Sequence, residues 1–354
     1  MGCRSAWSTA TWGANEHGRP GVWVTAAQLA VVALGGGHGL HATLSAARRL
    51  TDDVTAVVTV ADDGGSSGRL RRELDVLPPG DLRMALSALA ADDGRGARWT
   101  AVLQHRFGGS GALAGHPVGN LLLAGLAEVL GDPVTALDEV AALLGVRGRV
   151  LPMSRQALQI EADVVGLDRD PRVSRRIRGQ VAVATTPGQV RRVRLLPAAP
   201  PACVEAVEAV LRADLLLLGP GSWFSSVIPH LLVPELLEAV VRTSARRVVV
   251  LNLGPQPGET AGFSAERHLH VISQHAPDLR LDEVLVDAGT ELSESERTHL
   301  VRAAAGLGAM VRAAPVAVSG SAVHDPAALA LVLADLTGAS VRERTSGRDT
   351  QAWR

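Results

Sequence analysis

The chain is 354 residues long, 47% hydrophobic and 20% charged, with 35 Lys and Arg set against 36 Asp and Glu. That length supports a substantial core, the composition excludes wholesale disorder, and a formal net charge of -1 excludes the basic footprint of a nucleic-acid-binding protein. Cys3 and Cys203 are the only cysteines, which excludes a disulfide framework and fits a reducing cytoplasm.

Residues 1–28 scatter Trp7, Trp12 and Trp23 among Gly, Ser and Thr with no helical or strand period, and read as a disordered extension. The apolar run from Val22 to Leu34 is interrupted by Thr25 and Gln28 and ends in Gly35-Gly36-Gly37, so it lacks a signal-peptide cleavage pattern. No later run is long and uncharged enough to span a bilayer. A cytoplasmic protein is expected, with neither membrane nor nucleic acid as a partner.

Ala30 to Leu34 is a continuous apolar run, as in a strand buried on both faces of a parallel sheet. Gly35-Gly36-Gly37-His38-Gly39 follows and feeds a helix from Leu40 to Leu50, with Leu40, Leu44, Ala47 and Leu50 at helical spacing. A glycine turn at a helix N-terminus suits an anion, because unpaired amides and the helix dipole point there. A tight turn without ligand is the bland alternative. The spacing is neither Gly-x-Gly-x-x-Gly nor a Walker loop with its Lys.

A second strand, Val57 to Ala61, runs into Asp62-Asp63 and then Gly64-Gly65-Ser66-Ser67-Gly68-Arg69. Small residues let several N–H groups approach one anion, while the carboxylates suit a ribose hydroxyl or a metal. Asp62 lies a little over twenty residues past Gly39, near where dinucleotide folds place a ribose-binding acid. One of the two aspartates can serve as a helix cap or solvated acid; both together cannot be explained so. Asp81 is expected to cap a helix from Leu82 to Ala90, with Arg83 either its local ion-pair partner or part of the site. Ala91 to Gly96 reads as a surface loop. His116 and Asn120 stand at the start of a helix, Leu121 to Leu130, that is apolar nearly all round and expected to be buried. They can face a phosphate or base, or act as capping groups.

From about 147 to 197 the runs Ala157 to Val165, Gly179 to Ala184 and Val190 to Leu196 alternate or are β-branched, and read as a small antiparallel excursion. Arg172, Arg175, Arg176 and Arg178 in it are expected on a solvated face. A helix from Ala202 to Arg212 and a strand from Asp214 to Leu218 resume the α/β rhythm, and the strand ends in Gly219-Pro220-Gly221-Ser222. The next strand, Arg247 to Asn252, delivers Pro255-Gln256-Pro257-Gly258-Glu259-Thr260. Further strands are expected at Leu281 to Val286 and Val311 to Val318, then a helix capped by Asp325 and ending at Leu336. The fold class is therefore α/β, a Rossmann-like, mostly parallel sheet flanked by helices with a small antiparallel β insertion. It forms one domain over 29–338, followed by a flexible tail from 339.

Six motifs stand in one order: Gly35-Gly-Gly-x-Gly-Leu40, Ala61-Asp-Asp-Gly-Gly-Ser-Ser-Gly-Arg-Leu70, Pro78-Pro-Gly-Asp-x-Arg83, Gly115-His-x-x-Gly-Asn120, Leu218-Gly-Pro-Gly-Ser222 and Gln256-Pro-Gly-Glu-Thr260. This set resembles the gluconeogenesis-factor branch of the CofD-like family over about Ala30 to Leu336. His38, Met84, Phe263 and Val323 depart from it, standing where Thr, Asn, Tyr and Arg are usual. The resemblance implies a UDP-sugar ligand, typically UDP-N-acetylglucosamine, with a divalent metal such as magnesium as a further component. It implies a regulator of cell shape and wall-precursor supply during gluconeogenic growth, acting on a metabolic enzyme or as a homo-oligomer.

The expected ligand pocket comprises Gly35, Gly36, Gly37, His38, Gly39, Asp62, Asp63, Gly64, Gly65, Ser66, Ser67, Arg69, His116, Asn120, Gly219, Gly221, Ser222, Asn252, Glu259, Thr260 and Phe263. Asp62 or Asp63 is the expected metal ligand, and no residue is assigned a catalytic role. Two alternatives compete: a CofD-like transferase joining phospholactate to a deazaflavin, and a nicotinamide-dependent oxidoreductase. The glycine spacing and the lack of an obvious hydride-site acid/base pair weigh against the last.

Overall fold

The computed structural model describes residues 29–342 apart from 171 and 257, so the expected N-terminal extension lies outside the described residues. Seven parallel strands form the main sheet in the order β10 (Met310–Ala314), β9 (Glu283–Asp287), β8 (Arg246–Val250), β7 (Leu215–Leu218), β1 (Val31–Gly35), β2 (Val54–Val58) and β3 (Arg149–Pro152). Every residue of β1 and β7 is buried, as their uninterrupted apolar runs require of strands covered on both faces. Strand order grows outward in both directions from the β1–β7 pair. The crevice beyond the carboxyl ends of those two strands is therefore the topological switch point of the sheet.

A three-stranded antiparallel sheet, β5 (Ser174–Arg178), β4 (Gln159–Val165) and β6 (Gln189–Leu196), forms the insertion. One face buries Ile160, Ala162, Val164, Val193 and Leu195. On the other, Glu161 pairs with Arg176, Arg178 and Arg194. The helices that matter for the site are α1 (Gly37–Ala47), α2 (Gly65–Leu74), α3 (Pro79–Leu89), α4 (Gly94–Gln104) and α5 (Val118–Leu130). The others are α6 (Pro133–Leu144), α7 (Gln180–Ala184), α8 (Val204–Arg212), α9 (Pro234–Arg242), α10 (Ala265–His275), α11 (Glu294–Gly306) and α12 (Pro326–Thr337). Among the described residues no single helix is long and apolar enough to cross a membrane.

Several local expectations change. The second strand ends at Val58, where its neighbour β1 ends at Gly35, so Thr59 to Ala61 already belong to the loop. Pro79 opens α3 with Pro78 as its cap. Its fixed φ suits the first helical position, so Asp81 sits inside the first turn instead of capping it. Residues expected as loop near Ala91 start α4 instead, with the Asp93 side chain accepting from the Gly96 amide at 2.6 Å. Gly179 to Ala184 is not β structure: Gln180–Ala184 is the short helix α7, for a tertiary reason given below. The α5 helix buries only one face, and its Val129 is 81% exposed. Asp325 caps α12 as expected, accepting from the amides of Ala327 and Ala328. Beyond it Ala339 and Val341 pack on the core, and the Arg342 amide donates to Arg49 O at 2.7 Å, so the chain stays anchored through 342.

Candidate functional site

Helices α1, α2 and α5 begin without a side-chain cap and without an acidic residue in the first turn. Each carries the positive end of its dipole without a local cap, although Asp81 engages the Gly37 amide of α1 and the His105 and Pro117 carbonyls take the Val118 and Asn120 amides of α5. Side chains tie these three ends together through the first turn of α3. The Ser67 hydroxyl accepts from the Gly80 amide at 3.0 Å, and Asp81 accepts from the Gly37 amide.

The α2–α5 junction is a chain of buried hydrogen bonds. Arg83 Nε donates to Asn120 Oδ1 at 2.8 Å, Asn120 Nδ2 donates to Ser66 Oγ at 2.9 Å, and Ser66 Oγ lies 2.8 Å from His116 Nδ1. Burial, and secondarily the Arg69 charge, lower the His116 pKa, so the ring is neutral. In the tautomer in which the Ser66 hydroxyl accepts from Asn120 and donates to Nδ1, His116 Nε2–H is left as a donor. Arg83 Nη1 is buried with no partner. Burial first, and the nearby Arg106 next, depress its pKa to about 10. A guanidinium so placed is under-satisfied and presents a donor for an anionic oxygen.

The glycine turns permit close backbone approach. A Cβ on Gly39 would lie far inside van der Waals contact distance of the Pro220 carbonyl oxygen. One on Gly36 would lie 2.5 Å from Asp81 Oδ2 and 2.7 Å from Thr59 Cγ2. The turn after β1 thus closes directly on the Gly219-Pro220-Gly221 turn after β7, and the buried Thr43 hydroxyl donates to Gly219 O at 3.0 Å. Asn252 clamps the same turn: its Oδ1 accepts from the Gly221 amide and its Nδ2 donates to Gly221 O, both at 2.9 Å.

The paired aspartates separate in role. Asp63 accepts from the amides of Gln180 at 3.1 Å and Val181 at 3.0 Å, and so caps α7 from across the fold. That tertiary cap is why a β-branched segment becomes helix. Asp62 accepts from the Gly64 amide at 2.9 Å and faces Asp81 across the cleft floor. Burial raises the Asp62 pKa; for Asp81, burial and then the Asp62 charge push it up to about 7.

The sequence motifs thus converge in part. The residues from Gly35 to Gly39, Asp62, Gly64 to Ser67, His116, Asn120, Gly219 and Gly221 come together around the carboxyl ends of β1, β2 and β7, with His38 and Gly65 exposed and Ser222 half-buried. Arg69 is turned aside, donating to the carbonyls of Ala112 at 3.3 Å and Ala114 at 2.9 Å. Among the described residues no hydrogen bond ties Glu259, Thr260 or Phe263 to this network. The Thr260 hydroxyl accepts from the Gln256 amide at 2.9 Å and staples its own loop. Glu259 is buried toward the Ser225 hydroxyl and the amides of Trp223 to Ser225 with neither carboxylate oxygen in a formed hydrogen bond, and burial pushes its pKa up to about 7. Phe263 packs edge-on against Phe224 and His268, at 5.9 and 5.5 Å between centroids. Asp81 and Arg83, which sequence spacing makes equally a local ion pair or part of the site, form no ion pair and each reach a different wall of the cleft. Their placement in the Pro78-Pro-Gly-Asp-x-Arg83 turn was the available signal.

Comparison with known proteins bears on the family and the fold. The family model described as 2-phospho-L-lactate transferase CofD matches residues 31–313. The gluconeogenesis factor of Bacillus subtilis is 36% identical over 279 residues, spanning 77% of this chain and 83% of its own length. A Mycobacterium tuberculosis protein that carries the same name provisionally is 68% identical over 303 residues, 86% of this chain and 89% of its own. The crystal structure of a Bacillus halodurans protein superposes with a TM-score of 0.76 at 33% identity, covering 86% of this chain and 98% of that one.

Proposed function

The chain belongs to the CofD family, among its gluconeogenesis factors, and from that premise we propose that it is a cytoplasmic UDP-sugar-binding regulatory factor. Its ligand on this reading is UDP-N-acetylglucosamine or a close relative, and its role is to adjust cell-wall precursor supply and cell shape during gluconeogenic growth. The observation that carries the reading is the meeting of three helix N-termini that lack a cap residue of their own near a buried, under-satisfied Arg83. A diphosphate supplies the negative oxygens that such a site lacks.

A divalent cation fits the same cleft. Asp62 and Asp81 are hard oxygen donors whose carboxyls are both pushed toward protonation, a cost that a magnesium ion relieves. Among the described residues no group of three or more His, Cys, Asp or Glu side chains forms a metal cage. Magnesium held here would therefore complete its shell with water and ligand phosphate oxygens. Asp63, committed to capping α7, is not available for it.

The same carboxylate pair and the family match favour a second reading, transfer of phospholactate to a deazaflavin. Calorimetric titration separates the two. A UDP-sugar bound near 10 µM and supplied at 1 mM adds about 2.7 kcal/mol to stability. Saturable binding of UDP-N-acetylglucosamine with no phospholactate turnover supports the regulator. Absence of binding by any UDP-sugar defeats it, and turnover with an activated phospholactate donor establishes the transferase.

A further inference from the structure

A second cleft runs between β6 of the antiparallel sheet and α10, away from the hydrogen-bonded cleft described above. It has a volume of 630 Å³ and is lined by Gln189, Arg191, Phe263, Arg267, His270 and Gln274 among others. It adjoins a 460 Å³ hollow between α10 and α11, which shares Glu266 and His270 with it and adds His299 and Arg302. Together the two hollows bring three arginines and two histidines to one furrow with Glu266 as its sole acid.

None of Arg191, Arg267 and Arg302 forms an ion pair among the described residues. Elsewhere on the same antiparallel sheet the arginines behave otherwise, since Glu161 and Asp163 gather Arg176 and Arg194. Arg267 is also held in place. Its guanidinium lies 4.2 Å above the Phe263 ring, which is itself wedged between Phe224 and His268. A guanidinium stacked on a fixed ring keeps its fork of N–H donors free and oriented. Burial first, and next the Arg191 charge across the cleft, lower the Arg267 pKa against the opposing pull of Glu266. Glu266 offsets only part of this, since the Arg267 pKa is still lowered, and a bound anion removes the remaining repulsion between the two like charges. The flanking Gln189 and Gln274 amides add neutral hydrogen-bonding groups.

We infer that the furrow between β6 and α10 is a second ligand site that takes a small polyanionic metabolite, with Arg191 and Arg267 as its principal anchors and Phe263 as the platform under Arg267. A cleft of this volume suits a compact molecule carrying two or more anionic groups, as carboxylates or as a phosphate ester, since Arg receives either one through two parallel bonds. The site gives the chain an input separate from the nucleotide-sugar cleft. It reassigns Phe263 from that cleft to this one. The inference does not depend on the identity of the ligand at the switch point.

Calorimetric titration of the full chain at low ionic strength, with citrate and with glycerol 3-phosphate as separate probes, tests it. At least one probe is expected to saturate with a Kd below about 1 mM. The double variant Arg191→Gln/Arg267→Gln is expected to weaken that binding at least about tenfold, the effect of losing one charge-assisted contact or more. Arg83→Met, in the other cleft, is expected to leave it unchanged. Saturation by citrate alone assigns a carboxylate ligand, and by glycerol 3-phosphate alone a phosphate ester. The proposal is overturned if neither probe saturates by about 10 mM, if the double variant binds as tightly as the parent, or if Arg83→Met abolishes the signal.

Discussion

Arg83 reaches Asn120 Oδ1 at 2.8 Å and thereby fixes the Asn120 amide, the next link toward Ser66 and His116, while its own Nη1 stays buried and unpartnered. One side chain therefore both sets the polarity of the network and holds a donor in reserve. Arg83→Met removes the reserve donor. UDP-N-acetylglucosamine should bind about 10- to 100-fold more weakly, the range for a lost hydrogen bond to a charged group. The unfolding free energy without ligand should move by no more than about 1 kcal/mol, because removing an ill-paired buried charge offsets the lost Asn120 contact. Calorimetry and urea unfolding of the same preparation check both halves, and undiminished affinity would remove Arg83 from the site.

The division of labour between Asp62 and Asp63 is open to a direct comparison. Asp62→Asn should abolish the rise in thermal midpoint that magnesium produces, whereas Asp63→Asn should keep it. Asp63→Ala should instead cost about 1 kcal/mol of stability, as loss of a helix cap does, because the amides of Gln180 and Val181 lose their acceptor. A magnesium response lost in Asp63→Asn and retained in Asp62→Asn would reverse the assignment.

Gly39 is where the β1 turn and the β7 turn touch. A methyl group there meets the Pro220 carbonyl, and neither backbone can yield without moving a whole turn. Gly39→Ala should destabilise by about 1–3 kcal/mol, as overpacking does elsewhere. It should also weaken UDP-sugar binding by widening the switch point. Thermal unfolding in the presence and absence of ligand reads both effects, and a variant of parental stability would show that the two turns are not packed as described.

Glu259 supplies a pH signature. Its carboxyl ordinarily titrates near 4.5 and is pushed up to about 7 by burial, so the folded state holds a proton that the unfolded state has lost. Stability from this group is full below pH 4.5, falls as pH rises toward 7, and stays at the lower level above it. His230, fully buried and donating to Val57 O at 3.0 Å, acts in the opposite sense. Its pKa is lowered to about 4, so its cost grows as pH falls from 6.5 toward 4. Glu259→Gln should therefore gain stability over the parent at pH 8, on the order of 1–3 kcal/mol, and little at pH 4. Denaturant unfolding at the two pH values measures it, and an equal difference at both would mean the carboxyl is not protonated at neutral pH.

The features that local chemistry controls were legible in the residue order. Unbroken apolar runs such as Ala30 to Leu34 marked strands buried on both faces, and glycines after them marked turns where backbone amides could be exposed. The parallel sheet and the antiparallel insertion follow from that rhythm. What the order of residues left open was which polar group faces which. Asp62 and Asp63 are neighbours in sequence, yet one points into the cleft and the other across the fold to make a helix of Gln180–Ala184. Asp81 and Arg83 lie two positions apart and serve different walls. Phe263 and Glu259 share one motif, yet Phe263 packs on the Phe224 ring while Glu259 turns toward the amides of Trp223 to Ser225. A side chain's partners are decided by the elements packed against it, and those come from segments far away in the chain.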